Sequence, residues 1–371
     1  MTGPRPRIAL IGPVPPYRGG IAQHTAMLSA ALAGQADVLL LSFTRQYPRW
    51  LFPGASDIDP AAAPPAVPAP VYILDSLNPL TWRRAMKTIT AFEPDFLLIP
   101  WWTVFWAGCF SYIAGAARRR GIPVRFLCHN VADHEAAGWK TRLARRVLSK
   151  GQCFIVHSAA ERDMLIDLIP GARVTVHPHP VYTQFPDPSH ALPRRAGIEL
   201  LFFGLIRPYK GLDVLVDAMG RLGDRDLFLT VAGEFWAAKG EILSRIEKSG
   251  AGGRIEVIDR YLSDAEAADL FARADFAVLP YRSATGSGVV PLAYRYDTPV
   301  IASRVGGLPE VVLDGKTGLL VDPGSPESLA AALASLTPEM AQAMAAEIKT
   351  FKNSMTWESL AGAVINANQG D

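Results

Sequence analysis

The feature that most constrains this chain is a regular alternation of short apolar runs with segments of helix length. The apolar runs of a first series lie at residues 7–11, 38–42, 96–99, 124–128, 153–157 and 173–177. Those of a second series lie at residues 198–203, 227–232, 254–258, 276–280 and 299–303. Strands that alternate with helices along a chain predict an α/β fold, with mostly parallel sheets covered by helices on both faces.

Two such series predict two domains, because 371 residues exceed what one ordinary core accommodates. A proline-rich stretch at 181–195 separates them, and a proline- and alanine-rich segment at 53–70 predicts a loop or insertion. We therefore predict a first domain over 1–184, a second over 185–351, and a final helix over 352–371 that packs back onto the first domain. Doubly wound domains bind ligands beyond the carboxyl ends of their strands, so two facing Rossmann-like domains would share one cleft.

Composition and charge limit the function classes. A formal net charge of +2 argues against a nucleic-acid partner, because domains that bind nucleic acids usually carry a clearly basic face. Cys109, Cys128 and Cys153 stand alone in apolar stretches, which predicts buried thiols in a reducing, cytoplasmic compartment and neither disulfides nor a zinc site. The apolar run near the amino terminus is too short for a signal peptide.

An uncharged stretch at residues 96–117, followed by three arginines, is long enough to cross a bilayer. A buried strand followed by a helix that begins near Thr103 accounts for the same residues. We favour the strand and helix, because Pro100 interrupts the run where the chain would turn and the alternation continues on both sides.

A glycine pair follows the first predicted strand. Gly19 and Gly20 allow the backbone to approach a ligand closely, and a helix that begins near Ile21 would direct its free amides toward that place. The spacing differs from the GxGxxG dinucleotide fingerprint, so a nicotinamide enzyme is not indicated. The alternative is that the pair only forms a turn.

Two segments of the second domain also suit an anion. Arg207 and Lys210 follow its first strand, where they could neutralise a diphosphate; the alternative is a solvated basic loop. Gly286, Ser287 and Gly288 precede an apolar segment of helix length, where amides and a hydroxyl could bind an anion, although Ser287 could also serve only as a helix cap. Three such devices at strand ends predict one anionic ligand.

These segments together resemble the GT-B glycosyltransferases of family GT4, the group 1 glycosyltransferases. The matching pieces lie at residues 12–25, 129–130, 203–213, 231–234 and 298–325, and the last is the most specific. The resemblance implies a GT-B fold and the transfer of a sugar from a nucleotide-sugar donor to a saccharide or lipid-linked saccharide acceptor, in the synthesis of a glycan or polysaccharide.

The resemblance also implies roles for the candidate residues. Gly19 and Gly20 would lie against the donor diphosphate, Arg207 and Lys210 would neutralise it as catalytic cations, and the amides of residues 286–288 would complete the cradle.

His129 would be the third catalytic residue, near the transferring sugar or the acceptor, although a histidine at a strand end is also often structural. Tyr261, in the loop 259–264, would border the nucleobase with Glu234 close by. Retention of configuration is implied, and no metal or organic cofactor is expected, because fixed cations and helix dipoles would stabilise the departing phosphate. Two triplets of the DxD type, at 57–59 and 224–226, are interpreted as solvated.

The chain departs from the family pattern at two positions. The family commonly carries two glutamates eight positions apart, and Ala284 and Leu292 occupy those positions here. An active variant with an altered donor grip is one interpretation. Two alternatives are a nucleotide-sugar-binding protein with weak or lost transfer and a sugar-nucleotide epimerase, although the acidic and histidine cluster that elimination chemistry needs is not evident.

The acceptor side is the least determined. Residues 139–151 place five basic residues around a short apolar stripe of Leu143, Val147 and Leu148, which predicts either a peripheral contact with an anionic membrane at its cytoplasmic face or an ordinary surface helix. The tryptophans at 101, 102 and 106 are interpreted as core residues and not as a platform for a sugar.

Overall fold

A computed structural model describes residues 5–48, 57–59, 65–131 and 138–367. The chain divides into two compact units, which are unit 1 (Met1–Pro178 with Thr356–Asp371) and unit 2 (His179–Met355). The sequence put the corresponding boundaries at 184/185 and 351/352.

Unit 1 is built on a parallel sheet of seven strands in the order β3-β2-β1-β4-β5-β6-β7. Its strands are β1 (Arg7–Ile11), β2 (Asp37–Arg45), β3 (Val71–Asp75), β4 (Phe96–Trp101), β5 (Val124–Cys128), β6 (Cys153–Val156) and β7 (Arg173–Val176). Its helices are α1 (Gly20–Gln35), α2 (Pro79–Phe92), α3 (Ala107–Arg118), α4 (Gly138–Leu148) and α5 (Ala159–Leu168), together with α13 (Trp357–Asn366) from the end of the chain. The order of the strands reverses at β1 and β4, which is the switch point of a doubly wound sheet.

Unit 2 contains a parallel sheet of six strands in the order β10-β9-β8-β11-β12-β13. Its strands are β8 (Ile198–Phe203), β9 (Leu227–Ala232), β10 (Ile255–Ile258), β11 (Phe276–Leu279), β12 (Val300–Ser303) and β13 (Gly318–Val321). Its helices are α6 (Leu212–Gly220), α7 (Lys239–Lys248), α8 (Asp264–Arg273), α9 (Val289–Arg295), α10 (Leu308–Val311), α11 (Pro326–Ala334) and α12 (Pro338–Phe351). The predicted α/β class with two doubly wound sheets is confirmed.

The apolar runs of the sequence form the strands because both faces of each sheet are covered. In β4 and β5 every residue is buried, as expected for parallel strands between two helical layers. Two strands were not predicted. β3 is a partly exposed edge strand after the proline-rich segment, and β13 is the edge strand of the second sheet, with its two central residues only partly buried.

The uncharged stretch at 96–117 forms β4, a short 3-10 turn and α3 inside unit 1. The expected turn at Pro100 was placed wrongly, because β4 continues through Pro100 to Trp101 and the chain turns at Thr103, whose side chain accepts a hydrogen bond from the amide of Phe105. Within the described part of the chain, no helix is long and apolar enough to cross a membrane. All three cysteines are buried free thiols.

Half of the predicted proline-rich insertion, residues 53–56 and 60–64, lies outside the described residues. In the described part, Ile58 forms an isolated antiparallel bridge with Tyr17.

Helix α13 packs against α1 inside unit 1. The Arg125 guanidinium at the end of this interface donates hydrogen bonds to the carbonyls of Val364 and Ile365, the second at 2.9 Å. Its Cζ atom also lies 3.7 Å from the centre of the Phe96 ring. A buried cation thus binds the last turn of α13, where the helix dipole favours positive charge.

Candidate functional site

Lys210 ends the short 3-10 turn that follows β8 in unit 2. Its side chain is only 8% exposed, and its ammonium points back over Gly204, the residue that follows β8: a Cβ atom on this glycine would lie 3.2 Å from Nζ. The Nζ atom also lies 5.7 Å from the centre of the Tyr281 ring. Burial, together with the charge of Arg207, lowers the pKa of Lys210 to about 8. The alternative of a solvated basic loop is therefore wrong for Lys210.

Arg207 begins the same turn and is exposed. Its guanidinium lies over the Trp236 ring, with Cζ 4.4 Å from the ring centre, which is a cation–π contact. The indole nitrogen of Trp236 donates a 3.4 Å hydrogen bond to the carboxylate of Glu234. Among the described residues, neither Arg207 nor Lys210 forms an ion pair with a carboxylate, so this part of unit 2 carries positive charge that no acidic partner neutralises.

The segment after β11 contacts Lys210 through Tyr281. The hydroxyls of Tyr281 and Ser287 lie 3.3 Å apart, and the Ser287 hydroxyl accepts a 3.2 Å hydrogen bond from the amide of Val289. The N-cap residue of α9 is Gly288, which makes no side-chain capping bond, so the interpretation of Ser287 as the N-cap is wrong. Ser287 lies one residue earlier and binds the first amide of the helix. Gly286 and Gly288 are exposed on either side of it.

The turn that carries the two cations is held by groups that the sequence analysis did not identify. Gly211 has a φ angle of +68°, and a Cβ atom there would meet the carbonyl oxygen of Pro280 at 2.0 Å. The amide of Arg282 donates a 2.7 Å hydrogen bond to the carbonyl of Tyr209. The backbone after β11 thus packs directly on the turn after β8, and only glycine permits this approach at position 211.

The remaining donor-side candidate, Tyr261, lies in the loop after β10. Its side chain is partly exposed, and its carbonyl accepts a 3.3 Å hydrogen bond from Arg260. In the same loop Asp259 accepts a hydrogen bond from the amide of Phe235 and pairs with Lys239 at 2.6 Å. The Lys239 ammonium holds the pKa of Asp259 below its ordinary value, so this carboxylate has a partner of its own.

At both positions where the family commonly carries glutamate, this chain has a buried apolar residue. Ala284 and Leu292 are buried, and Gly306 approaches the carbonyl of Ala284 so closely that a Cβ atom there would lie 1.7 Å from it. The amide of Gly307 donates a 2.9 Å hydrogen bond to the carbonyl of Thr285. These residues therefore contribute packing and no carboxylate.

The other predicted residues belong to unit 1. Gly19 has a φ angle of +102° and precedes α1, and its carbonyl accepts hydrogen bonds from the amides of Ala22 and Gln23. Gly19 and Gly20 are exposed at this helix start. No Cβ contact would arise at Gly19, so the glycine is needed for its backbone angle.

His129 follows β5, and its amide donates a 2.8 Å hydrogen bond to the carbonyl of Trp101. Two further histidines, which the sequence analysis did not identify, lie close to the His129 ring. His24 belongs to the second turn of α1, and its ring centre lies 4.4 Å from that of His129. His157 follows β6, with its ring centre 5.4 Å from that of His129. The three residues form what we term the histidine cluster.

The described geometry thus joins Arg207, Lys210, Glu234 and Ser287 into one chain of contacts in unit 2, through Trp236 and Tyr281.

The tryptophans behave as predicted, since Trp101 and Trp106 are fully buried in the core of unit 1 and Trp102 donates a hydrogen bond to Tyr47. The apolar stripe of α4, for which the sequence suggested a membrane contact, packs into the protein core. Val147 and Leu148 on α4 are buried in the core of unit 1, and Leu143 packs against it.

Two Rossmann-like units, each built on a doubly wound parallel sheet, define a protein of the doubly wound α/β class. Two family models match the chain. The one described as glycosyl transferases group 1 matches residues 197–338, and the one described as glycosyltransferase family 4 matches residues 18–185. The chain belongs to the group 1, or family 4, glycosyltransferases.

Curated relatives carry related names. A D-inositol 3-phosphate glycosyltransferase of Streptomyces griseus is 31% identical over 292 residues, which are 67% of this chain and 62% of that protein. A GDP-mannose:glycolipid 4-beta-D-mannosyltransferase of Xanthomonas campestris is 31% identical over 201 residues, 52% of this chain and 54% of that protein. The matched part of the chain spans only about half to three fifths of the length of these relatives.

Solved structures resemble the whole chain. A sucrose-phosphate synthase of Thermosynechococcus elongatus gives a TM-score of 0.73 at 20% identity, over 98% of both chains. The Anabaena protein HepE, determined with UDP and glucose, gives 0.71 at 16% identity, over 98% of this chain and 99% of that one. At these identities the likeness establishes the fold, which is GT-B.

Proposed function

We propose that the protein transfers a glycosyl group from a nucleoside diphosphate sugar to a saccharide or lipid-linked saccharide acceptor in glycan or polysaccharide synthesis. Arg207 and Lys210 hold the donor diphosphate, with Gly286, Ser287 and Gly288 beside it. Glu234 and Tyr261 lie toward the nucleobase. The family resemblance assigns Gly19 and Gly20 to the diphosphate, and His129 to the transferring sugar or acceptor.

One observation carries this proposal, namely the buried ammonium of Lys210 next to Arg207, without an acidic partner in the described residues. Burial of an unpaired charge is costly, and strongly perturbed groups of this kind cluster at functional sites. A diphosphate supplies the negative charge that would offset this cost. HepE, which shares the fold, was determined with UDP and glucose, which supports a nucleotide diphosphate as the class of ligand.

During transfer the bond between the sugar and the diphosphate breaks, and negative charge grows on the departing phosphate oxygen. Two fixed cations stabilise that charge without a metal ion at the diphosphate. The family resemblance favours retention, in which the leaving phosphate accepts the proton of the acceptor hydroxyl on the same face of the sugar.

Because no metal ion is needed at the diphosphate, donor binding is expected to be unchanged by a chelator. The anomeric configuration of the product, determined by NMR, decides between retention and inversion.

The first experiment is calorimetry of the protein with UDP-, GDP- and ADP-sugars. One nucleotide class is expected to bind, and the double variant Arg207→Ala/Lys210→Ala should lose more than about 100-fold in affinity, because two charge-assisted contacts are removed. The matched control is Lys248→Ala/Lys316→Ala, which removes the same charge from exposed positions of unit 2.

Equal loss in the control would mean that net charge and not this site binds the donor. If no nucleotide sugar binds the parent protein at millimolar concentration, the assignment of the donor site is wrong.

The buried Ala284 and Leu292 favour a second candidate, a nucleotide-sugar-binding protein with weak or lost transfer. The two functions differ in turnover. Incubation of donor with a panel of saccharide and lipid-linked acceptors should yield a glycosylated product. Donor binding without product across the panel favours the binding protein, whereas donor conversion without any glycosylated acceptor favours an epimerase or hydrolysis.

For the acceptor we propose a peripheral contact between α4 and an anionic membrane at its cytoplasmic face. The apolar stripe of α4 is covered by the core, but Arg142, Arg145 and Arg146 are exposed, and Trp139 is 59% exposed. Each basic side chain near an anionic surface contributes about 1 kcal/mol. Sedimentation with anionic vesicles should therefore fall strongly in the triple Arg→Gln variant and with added salt, whereas vesicles of neutral lipid should not bind.

A further inference from the structure

The histidine cluster is formed by three separate elements of unit 1. His24 lies in α1, His129 follows β5 and His157 follows β6, so residues far apart in sequence converge at one edge of the sheet. One ring nitrogen of each residue lies within 4.8 Å of those of the other two. His24 is almost fully buried, and the other two are half-buried, so the cluster is closed on the side of α1.

This spacing is close to that of a metal site. Zinc–nitrogen bonds of about 2.0–2.1 Å place the nitrogens of a tetrahedral site roughly 3.3 Å apart. From separations of at most 4.8 Å, each ring would have to move by less than about 1 Å to reach that geometry. Rotation of the side chains accomplishes such a shift without a change of the sheet.

The hydrogen bonding of His157 has the form expected for a ligand. Its Nδ1 atom lies 3.1 Å from the carbonyl oxygen of His177, so Nδ1 carries the proton and donates it, and Nε2 is the nitrogen with the lone pair. Its backbone amide donates a 3.0 Å hydrogen bond to the carboxylate of Glu161. A histidine that binds a metal through one nitrogen usually donates the other to a carbonyl or carboxylate, which fixes the orientation of the ring.

The chemistry favours a metal ion over an anion. Neutral imidazoles are good ligands for zinc, copper, iron and nickel, and three histidines are a ligand set that zinc sites use.

We infer that His24, His129 and His157 form a binding site for a zinc-type divalent transition ion in unit 1. This departs from the expectation that the chain binds no metal, which concerned the donor diphosphate. The ion would tie α1 to the ends of β5 and β6.

The test uses the full chain without a histidine tag, stripped of metal by dialysis against a chelator. Titration with Co²⁺ should give one bound equivalent, with the visible absorption of a tetrahedral or five-coordinate cobalt site, and Zn²⁺ should displace it. The variants His157→Gln and His129→Gln should each weaken binding by more than about 100-fold, beyond the ~10–100-fold cost of a lost outer-shell contact. The control is His190→Gln in unit 2, whose imidazole is exposed and stands outside the cluster.

A parent protein that binds no stoichiometric Co²⁺ or Zn²⁺ overturns the inference, as does a His157→Gln variant that binds as tightly as the parent. Circular dichroism of each variant verifies its fold, and the titration of the parent is decisive even where a variant does not fold. Donor calorimetry on the parent and on His157→Gln, a residue with no role in the proposed transfer, is measured separately from the metal titration, so failure of the metal site and failure of donor binding are distinguishable.

Discussion

Arg282 and Asp213, which are 69 positions apart in the chain, form a two-pronged ion pair in unit 2. Each of the two terminal guanidinium nitrogens of Arg282 lies 2.6 Å from a different carboxylate oxygen of Asp213. The same guanidinium donates a 3.3 Å hydrogen bond to the carbonyl of Pro208, inside the turn that carries Arg207 and Lys210. Partial burial opposes the ionisation of Asp213, but the bonds and charge of Arg282 outweigh it and keep the pKa of Asp213 below its ordinary value. The pair therefore connects the segment after β11 to the first turn of α6.

We predict that Asp213→Asn weakens donor binding by about 3- to 10-fold and changes the free energy of unfolding by less than about 1 kcal/mol. The ion pair is partly exposed and contributes little to stability, whereas a displaced turn misplaces both cations. Calorimetry with the donor and urea unfolding measure the two quantities. Asp217→Asn is the control. Asp217 lies on α6, as Asp213 does, but it pairs with Arg245 of α7 at 2.6 Å, away from the turn. If both variants bind the donor equally, the pair does not position the turn.

The close approach of Gly211 to Pro280 gives a second prediction. Gly211→Ala should lower the free energy of unfolding by more than about 3 kcal/mol and abolish donor binding, because a Cβ atom 2.0 Å from a carbonyl oxygen forces the two segments apart. Gly250→Ala separates the backbone strain from the clash. Gly250 has a φ angle of +72°, but a Cβ atom there would meet no other atom within 4 Å, so about 1–2 kcal/mol is expected. Equal costs would show that the angle alone matters.

Particular residues show how far sequence reasoning reaches. Eleven of the thirteen strands and the cations at 207 and 210 follow from local pattern, because apolar runs and a charged strand end are visible in a short window. The contact of Gly211 with Pro280, the Arg282–Asp213 pair and the convergence of His24 with His157 depend on which strands become neighbours. Strand β8 pairs with β11, and β5 pairs with β6, and these neighbours are separated in the chain by helices. No spacing of residues in the sequence predicts those contacts.

Arg125 provides a prediction in unit 1. Replacement by methionine should speed amide exchange across residues 357–366 by about 10- to 100-fold, because hydrogen bonds to a charged group contribute about 1.5–3 kcal/mol and the carbonyls at the end of α13 lose their partner. Hydrogen exchange read by mass spectrometry measures this segment directly. The control is Arg118→Met, which removes an exposed guanidinium bonded to the carbonyl of Ser149. Unchanged exchange in 357–366 for Arg125→Met would mean that packing on α1 alone holds the helix.

Lys210 gives the prediction that joins stability to function. Its folded pKa of about 8 lies below the ordinary 10.5, so the unfolded chain binds the proton more tightly than the folded protein does. Stability therefore rises as the pH increases from about 8 to about 10.5, and below pH 8 the full cost of the buried charge is present. Lys210→Met removes that cost. At pH 7 it should raise the free energy of unfolding by about 1–3 kcal/mol, an advantage that disappears by about pH 10.5.

The same variant should lose donor binding, because the diphosphate binds the protonated ammonium. In the parent, donor affinity should accordingly fall above about pH 8, and binding near pH 9 should take up a proton, which calorimetry in buffers of different ionisation enthalpy detects. Urea unfolding across pH 7–10.5 measures the stability, with Lys316→Met as the control at an exposed lysine. A Lys210→Met variant that is less stable than the parent at pH 7 would show that Lys210 is a structural residue with a partner in the folded chain. A gain in stability accompanied by loss of the donor is the behaviour of a residue kept for its ligand, because the free energy lost in the empty protein is recovered when the diphosphate binds.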